Sequence, residues 1–245
     1  MKCLLLSLAL LELLLWHKGS ALLLDKNCAW TDDEVVPTNT HWIAVVRSSF
    51  FTCAGTLISK NYVLTAAQCI YGQRGPMFVQ LGERHFNVSR GIMHRGYGMQ
   101  PGPNDIGLLK LDGEVNYSTD HIRPICILMD AASVLQNINR FSAFGWRKPK
   151  AGDDSPVLTT HQLRRLPSEK CQSDMLPLTN KQFCADSEVG DGSCNGDAGG
   201  PLAVIINNRP VQVGITSYGP KSCNGPAVYT DVTSYTRWIA SIVRY

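Results

Sequence analysis

The stretch CNGDAGGPL, at positions 194–202, has the composition of a tight loop. Glycine adopts backbone conformations that other residues avoid, so a run of glycines allows such a loop to turn sharply. At the centre of the loop is Ala198, whose methyl group can neither attack a substrate nor carry a proton. We therefore expect the glycines to serve the packing of the loop, because they flank no reactive side chain.

Two other stretches contain side chains that could take part in chemistry. LTAAQC, at 64–69, contains Gln68, and NDIGLLK, at 104–110, contains Asp105. A carboxylate accepts hydrogen bonds, and it can orient or stabilise a neighbouring group. A carboxamide can donate hydrogen bonds, but it cannot act as a base near neutral pH. The three stretches thus offer a carboxylate, an amide and a methyl group.

The N-terminus has the pattern of a secretory signal peptide. Met1 and Lys2 precede an apolar run over 3–16, and the small residues Gly19 and Ala21 follow it. The run is shorter than the roughly 20 apolar residues that a membrane-spanning helix needs. Residues 1–21 are therefore interpreted as a signal peptide cleaved after Ala21, and the mature chain is predicted to be extracellular, with no membrane span.

The charge of the chain argues against two classes of partner. Its 245 residues include 23 Lys and Arg and 20 Asp and Glu. Removal of Lys2, Glu12 and Lys18 with the signal peptide leaves 21 basic and 19 acidic residues among the remaining 224. This balance is too weak to favour nucleic acid or a membrane surface as the main partner. The remaining length suffices for one large or two small domains.

Cysteines and sequons both fit secretion. Cys3 leaves with the signal peptide, and an even number of eight cysteines remains, which predicts four disulfides. The sequence has no CxxC or HxxxH pattern, so no metal site is expected, and no cofactor is predicted. Sequons at Asn87 and Asn116 predict N-linked glycans, which would require both asparagines to face solvent.

Short strands are the elements that would position these residues. Apolar, partly β-branched runs predict strands at 42–46, 78–81, 106–111, 141–144, 201–206, 211–215 and 227–229. Clusters of Gly, Pro, Asn and Asp separate them, which is typical of an all-β sandwich or barrel. Arg164 and Arg165 are interpreted as an exposed pair on a strand. At the C-terminus, Thr233 or Asp231 can cap a helix. The apolar residues of that helix recur at helical spacing, and they are Tyr235, Trp238, Ile239 and Ile242.

Together, LTAAQC, NDIGLLK and CNGDAGGP resemble the TAAHC, DIALL and GDSGGP patterns of the chymotrypsin/trypsin family of serine proteases. The resemblance covers about 35–245. It implies an all-β fold of two six-stranded antiparallel barrels with a cleft between them, and a C-terminal α-helix. We expect a trypsin-like domain over 22–245, with barrels at roughly 35–125 and 126–232 and the helix at 233–243.

The resemblance also implies roles for individual residues. It implies four disulfides that use all eight cysteines: Cys28–Cys126, Cys53–Cys69, Cys171–Cys184 and Cys194–Cys223. In such a protease a serine attacks, a histidine takes its proton and a buried aspartate orients the histidine. Asp105 stands at the aspartate position, whereas Gln68 stands at the histidine position and Ala198 at the serine position.

A chain without these two groups is predicted to bind rather than to cut, because it lacks both a base and a nucleophile. The part of the machinery that remains is an oxyanion hole formed by the backbone N–H groups of Gly196 and Ala198. We further expect the side-chain amide of Gln68 to donate a hydrogen bond to Asp105, in place of the lost imidazole N–H.

The remainder of the cleft departs from the family pattern as well. Family members are activated by cleavage after a basic residue, and the freed ammonium group then pairs with the aspartate next to the serine, a position that Asp197 holds here. Yet no Lys or Arg occurs between Lys26 and Arg47. Gly192 stands at the floor of the specificity pocket in place of a carboxylate, and Ala227 stands where trypsin-like members usually have glycine. The edge Ser217-Tyr218-Gly219, which in the family pairs with an extended peptide, is intact, so a peptide could add to it as a strand.

These features lead to the interpretation of a secreted serine protease homologue without catalysis. The sequence is similar to arthropod members, and such homologues act as cofactors or decoys in extracellular proteolytic cascades, including those of immunity and development. The expected partners are extracellular proteins, namely proteases, zymogens or serpins. One alternative is a serine-type endopeptidase with an atypical nucleophile, such as Ser193 or Ser217. Another is a binding module for inhibitors or microbial sugars. The oligomeric state is left open.

Overall fold

The computed structural model describes residues 23–29, 40–98, 102–118, 122–129, 137–147, 157–171, 177–188, 198–220 and 225–243. Within them the chain forms twelve strands and one α-helix, α1, at Thr236–Val243. In chain order the strands are β1 (Ile43–Arg47), β2 (Thr52–Ser59), β3 (Tyr62–Thr65), β4 (Phe78–Leu81), β5 (Arg84–Met93), β6 (Gly107–Leu111), β7 (Arg140–Arg147), β8 (Val157–Leu166), β9 (Gln182–Ser187), β10 (Pro201–Ile206), β11 (Arg209–Tyr218) and β12 (Ala227–Asp231).

These strands form two closed antiparallel barrels of six strands each, which confirms the predicted fold class. Neighbouring strands follow the order β1-β2-β3-β6-β5-β4 in the first barrel and β10-β11-β12-β9-β8-β7 in the second. Closure removes the sheet edges that would otherwise offer unpaired backbone groups. Each barrel has its own apolar interior, and the site described below lies where the two barrels meet.

The burial pattern of the strands explains why their sequences form barrels. In β4, Val79 and Leu81 are buried, whereas Phe78 is exposed, which is the alternation of a strand with one face on the core. By contrast, β11 is buried over most of its length. It lies between β10 and β12 and contributes residues to the junction of the barrels, so both of its faces are covered.

Aromatic side chains fill the second barrel. The ring of Phe183 lies 5.2 Å from that of Phe141 and 5.6 Å from that of Tyr229, measured between centroids. The guanidinium carbon of Arg165 lies 4.7 Å from the centroid of Phe183, a cation–π arrangement in which the apolar stem of the side chain is half-buried. The prediction that Arg164 and Arg165 are both exposed is therefore wrong for Arg165, because its side chain points inward from β8.

The C-terminal helix begins later than predicted. The carboxylate of Asp231 accepts a hydrogen bond from the backbone N–H of Thr233 at 2.9 Å. Of the two predicted caps, Thr233 and Asp231, the cap is therefore Asp231. The turn that it caps, Val232–Tyr235, is a 3₁₀ turn, and the α-helix begins only at Thr236. The predicted start at 233 is thus wrong by three residues, since the first turn has the tighter 3₁₀ geometry.

Three disulfides occur within the described residues, Cys28–Cys126, Cys53–Cys69 and Cys171–Cys184, and these are three of the four pairs that the resemblance implies. The fourth pair, Cys194–Cys223, lies outside the described residues. The first disulfide ties the N-terminal segment to the connection between the barrels, where the backbone N–H of Leu24 also donates to the carbonyl of Ile127 at 3.0 Å.

Within the described residues, a helix with the length and hydrophobicity needed to cross a membrane does not occur. In the same residues, no group of three or more His, Cys, Asp or Glu side chains is arranged to hold a metal ion.

Candidate functional site

The site is built from the ends of strands in both barrels. Gln68 lies in the 3₁₀ turn Ala67–Cys69, which follows β3, and Asp105 comes two residues before β6 begins. Ser217 is the penultimate residue of β11 in the second barrel. Gln68 and Ser217, which are 149 positions apart in the chain, thereby form a hydrogen bond. The site therefore depends on the packing of one barrel against the other.

Asp105 is the centre of this site, and it is only 2% exposed. Its Oδ1 accepts a hydrogen bond from the backbone N–H of Gln68 at 2.9 Å. Its Oδ2 accepts two more, from Nε2 of Gln68 at 2.8 Å and from the hydroxyl of Ser217 at 2.6 Å. The backbone carbonyl of Asp105 also accepts a hydrogen bond from the hydroxyl of Thr230, at 2.9 Å. The side-chain carboxyl group of Asp105 thus acts only as an acceptor in these hydrogen bonds.

The side-chain amide of Gln68 is held on both sides by acceptors. In addition to Oδ2 of Asp105, its Nε2 donates to the backbone carbonyl oxygen of Ser217 at 2.6 Å. An amide nitrogen carries two hydrogens, and these two bonds use both of them. The expectation that Gln68 donates to Asp105 is therefore confirmed, and the bond to Ser217 is an addition that the sequence did not indicate.

Burial raises the pKa of Asp105 above its ordinary value, because the ionised carboxylate loses its hydration. The hydrogen bonds from Ser217 and Gln68 act in the opposite direction, since they stabilise the ionised form. Burial is the larger effect. The carboxyl group of Asp105 is therefore surrounded by hydrogen-bond donors and shielded from water. Its side-chain donors among the described residues, Gln68 and Ser217, are neutral.

Ala198 and Gly199 lie beside this network. The carbonyl oxygen of Ala198 accepts a hydrogen bond from the backbone N–H of Ala54 at 2.9 Å, which attaches the loop to the first barrel. Gly199 has a φ of 85°, a conformation that favours glycine. A Cβ atom at this position would overlap the carbonyl oxygen of Ala54 and the hydroxyl of Thr65. The interpretation that a glycine is kept here for positive φ and close packing is confirmed for Gly199.

The residues predicted to form the cleft differ in their exposure. Ser217 and Ala227 are buried, at 3% and 1% exposed, whereas Tyr218 is half-buried and Gly219 is exposed. Burial is also the main reason that the pKa of Tyr218 is raised. Four predicted residues lie outside the described residues, namely Gly192, Ser193, Gly196 and Asp197.

Both sequon asparagines are exposed, in different settings. Asn87 lies within β5, and its side chain points out of the first barrel. Asn116 lies in a turn, where its Oδ1 accepts a hydrogen bond from the backbone N–H of Ser118 at 3.0 Å. Each position meets the requirement that a glycosylated asparagine face solvent.

The fold, the placement of Asp105 at the barrel junction and the glycine-dependent loop at Gly199 agree with a comparison against known families, in which the family described as Trypsin matches residues 30–239. The chain belongs to the trypsin family.

Similar members of the trypsin family come from insects. Over 246 aligned residues the chain is 28% identical to "Serine protease grass" of Drosophila melanogaster, covering 84% of this chain and 65% of that protein. It is 29% identical to "CLIP domain-containing serine protease B15" of Anopheles gambiae, covering 78% and 61%. It is 30% identical to "Phenoloxidase-activating enzyme" of Bombyx mori, covering 82% and 57%. The chain thus spans less than two thirds of the length of these relatives.

The sequence did not predict two members of the network, Ser217 as a donor to Asp105 and Thr230. The hydroxyl of Ser217 donates to Asp105, whereas the sequence predicts Ser217 only as part of the cleft edge or as an atypical nucleophile. Thr230 donates to the backbone of Asp105 across a separation of 125 residues. No local pattern marks either contact, because both depend on how β11 and β12 of the second barrel approach the loop before β6.

Proposed function

We propose that this trypsin-family chain is a secreted protein without proteolytic activity, which binds or regulates other proteins in an extracellular proteolytic cascade. In this proposal, Gln68 and Ala198 occupy the positions of the family's catalytic histidine and serine. The observation that carries it is the arrangement of Gln68, whose side-chain amide donates both of its hydrogens, one to Asp105 and one to Ser217.

The chemistry of these groups supports the absence of hydrolysis. Peptide-bond cleavage by this type of site needs an oxygen or sulfur nucleophile and a base that takes its proton. A carboxamide does not gain a proton near neutral pH, and the Nε2 atom of Gln68 already serves as a double donor. Ala198 offers only a methyl group. Removal of the equivalent set from another serine hydrolase lowers turnover by about a million-fold.

The environment of Ser217 argues against it as a replacement nucleophile. Its side chain is buried, at 3% exposed, and its hydroxyl already donates to Oδ2 of Asp105 at 2.6 Å. Attack would require a substrate carbonyl to reach a buried hydroxyl whose acceptor, Oδ2 of Asp105, is shared with the Gln68 amide. Asp105, the group that would take the proton, is itself enclosed in the barrel junction. These contacts give Ser217 a structural role in the proposal.

The cleft edge receives a hydrogen bond from the same amide. The sequence predicts that a peptide could add to Ser217-Tyr218-Gly219 as a strand. In the structure the carbonyl oxygen of Ser217 already accepts a hydrogen bond from Gln68. This carbonyl therefore already accepts one hydrogen bond, and its second lone pair and the exposed Gly219 are what the edge offers to a peptide.

The proposed setting rests on secretion and on the relatives. Three disulfides, two exposed sequon asparagines and the signal-like segment at 1–21 all support an extracellular protein. The names of the relatives describe serine proteases and a phenoloxidase-activating enzyme in insects. For this chain we propose trypsin-family proteases, their zymogens or serpins as partners, in a cascade of the kind that serves innate immunity.

A fluorophosphonate probe tests the central part of the proposal. The purified, secreted protein is incubated with the probe beside an active trypsin-family protease, and labelling is quantified by intact-mass spectrometry. We expect no adduct on this chain and complete labelling of the active control. Stoichiometric labelling, together with hydrolysis of a fluorogenic peptide library that survives repurification, would establish the endopeptidase alternative instead.

The partner class requires a separate measurement. The tagged protein is added to insect plasma, cross-linked, and recovered for quantitative mass spectrometry against a tagged, unrelated secreted protein of similar size. Enrichment of trypsin-family zymogens or serpins supports the regulatory role. Enrichment of glycans or microbial surface material without such proteins supports the third interpretation, a binding module for sugars.

A further inference from the structure

An exposed aromatic ring on the first barrel lies beside a glycosylation sequon. Phe78 is the first residue of β4, and 44% of its surface is exposed. In the register between β4 and β5 it lies directly opposite Asn87. The neighbouring pair, Val79 and Phe86, is buried inside the barrel, so Phe78 and Asn87 both point outward.

The hydrogen bonds around this pair bring the two side chains close together. The carbonyl oxygen of Asn87 accepts from the backbone N–H of Asp112 at 2.8 Å, so this part of its backbone faces away from β4. The backbone N–H of Val88, one residue later, donates to the carbonyl of Met77 at 3.0 Å. Phe78 and Asn87 therefore form a non-hydrogen-bonded pair, the kind in which facing side chains are closest, with Cβ atoms about 4.5–5.5 Å apart.

We propose that Asn87 carries an N-linked glycan whose first N-acetylglucosamine lies against the ring of Phe78. In the modification, Nδ2 of Asn87 bonds to C1 of the sugar, and the bond from C1 to a phosphate oxygen of a lipid-linked diphosphate oligosaccharide breaks. The amide proton leaves with the lipid diphosphate. The proposal depends on the secretion that forms part of the proposed function, and it does not depend on the loss of catalysis.

The physical reason for the contact is the match between the two surfaces. One face of an N-acetylglucosamine ring presents C–H groups, and the face of an aromatic ring carries the negative part of its quadrupole. Covering the exposed part of Phe78 also removes apolar surface from water. The linkage to Asn87 holds the sugar beside the ring, so little additional freedom is lost when the contact forms.

The second sequon provides a built-in comparison. Asn116 lies in a turn, where its Oδ1 is bonded to the backbone of Ser118, whereas Asn87 faces Phe78 across a pair of strands. A glycan at Asn116 should therefore affect the stability of the fold in a way that does not depend on Phe78.

The full chain is expressed in insect cells with Asn116→Gln, so that Asn87 is the single sequon asparagine, and it is compared with the same chain carrying Phe78→Thr. Peptide mass spectrometry is expected to find Asn87 occupied. One sample is trimmed enzymatically to a single N-acetylglucosamine and another is deglycosylated completely. Trimming should leave Tm unchanged, whereas complete removal should lower it by about 2–4 °C when Phe78 is present and by less than about 1 °C with Phe78→Thr.

Three outcomes would overturn the proposal. The first is secretion with Asn87 unoccupied, and the second is an equal fall in Tm with and without Phe78. The third, which is independent of the variant, is the absence of nuclear Overhauser contacts between the Phe78 ring and the N-acetylglucosamine in the trimmed wild-type protein. A parallel set with a heterologous leader separates failure of secretion from failure of the glycan contact.

Discussion

Nε2 of Gln68 lies 2.6 Å from the backbone carbonyl oxygen of Ser217, and this hydrogen bond joins the first barrel to the second. The same nitrogen lies 2.8 Å from Oδ2 of Asp105. One neutral side chain therefore satisfies a buried carboxyl group and a carbonyl at the junction of the barrels. A group that titrates near neutral pH could do this only in one of its protonation states, whereas the amide does so at any physiological pH.

Replacement of Gln68 by Ala is expected to destabilise the fold. The change removes two donors, so Oδ2 of Asp105 loses one partner and the carbonyl of Ser217 loses its bond to the amide. Buried polar groups that lose a partner cost about 1–3 kcal/mol, and we expect the free energy of unfolding to fall by that amount. Urea unfolding with the disulfides intact, followed by tryptophan fluorescence, measures the change.

Gln80→Ala is the matched control for this experiment. Gln80 is half-buried near the end of β4, and its Nε2 donates a solvent-exposed hydrogen bond to the carbonyl of Gly82 at 3.0 Å. Its loss should change the free energy of unfolding by no more than about 0.5 kcal/mol. If Gln68→Ala and Gln80→Ala had the same effect, the amide of Gln68 would not be holding the junction together.

The pKa of Asp105 predicts a specific pH dependence of stability. Burial raises this pKa in the folded protein above the ordinary value of about 3.9. As pH rises between the two values, the unfolded chain releases its proton first, so the free energy of unfolding falls through this window. In Asp105→Asn this contribution is absent. The wild-type free energy minus that of Asp105→Asn should therefore decrease with rising pH, as measured by urea unfolding from about pH 3.5 to about pH 7.

Asp112→Asn, at an exposed position, controls for the general effect of removing a carboxylate. A difference between wild type and Asp105→Asn that increases with pH would contradict the prediction. It would mean that the hydrogen bonds from Ser217 and Gln68 outweigh burial, and that the folded protein holds Asp105 as a stabilised carboxylate.

Gly199→Ala is expected to cost far more than a glycine substitution elsewhere. Gly199 has a φ of 85°, and a Cβ would overlap the carbonyl oxygen of Ala54 and the hydroxyl of Thr65. Backbone strain and overpacking together predict a loss of about 2–5 kcal/mol. Gly72→Ala is the control: Gly72 has a φ of 73°, but a Cβ there would meet no atom within 4 Å, which leaves only strain of about 1–2 kcal/mol. Equal Tm values for the two variants would refute the packing argument.

The sequence predicted seven of the twelve strands of the described residues and missed five. All seven predicted runs overlap strands, because residues such as Val79 and Leu81 give a clear apolar signal; the runs at 42–46 and 106–111 begin one residue before their strands. Five strands were not predicted, namely β2, β3, β5, β8 and β9. In β5 most residues are exposed, and in β3 all four residues are buried, so neither strand shows a regular alternation of apolar and polar residues. Their pairing is imposed by closure of the barrel, which is a property of the whole sheet.

The candidate site was predictable where it follows a motif. The position of Asp105 and its bond to Gln68 followed from the family pattern around each residue. The bond from Gln68 to Ser217 did not, because it depends on the distance between two barrels rather than on any local spacing. Inward placement of Arg165 was missed for a similar reason: the rings of Phe141 and Phe183 that receive it come from other strands.

The double substitution Gln68→His with Ala198→Ser is expected to leave the protein without measurable peptidase activity. Under the proposed function it supplies a base and a nucleophile at the family's catalytic positions, but family members also need a new N-terminus released by cleavage after a basic residue. No Lys or Arg lies between Lys26 and Arg47 to allow that cleavage. Fluorogenic peptide hydrolysis and fluorophosphonate labelling of the secreted variant provide the measurement.

A second variant tests whether the missing cleavage is the reason. Glu34→Arg and Pro37→Gly are added to the double substitution, so that a trypsin-like protease can release an N-terminus beginning at Val35. We expect labelling to appear only in this variant, and only after cleavage, because the freed ammonium group can then pair with Asp197 as it does in the family. Rapid hydrolysis by the uncleaved double variant would show instead that the fold is already in an active conformation. In that case Gln68 and Ala198 alone would account for the absence of peptidase activity.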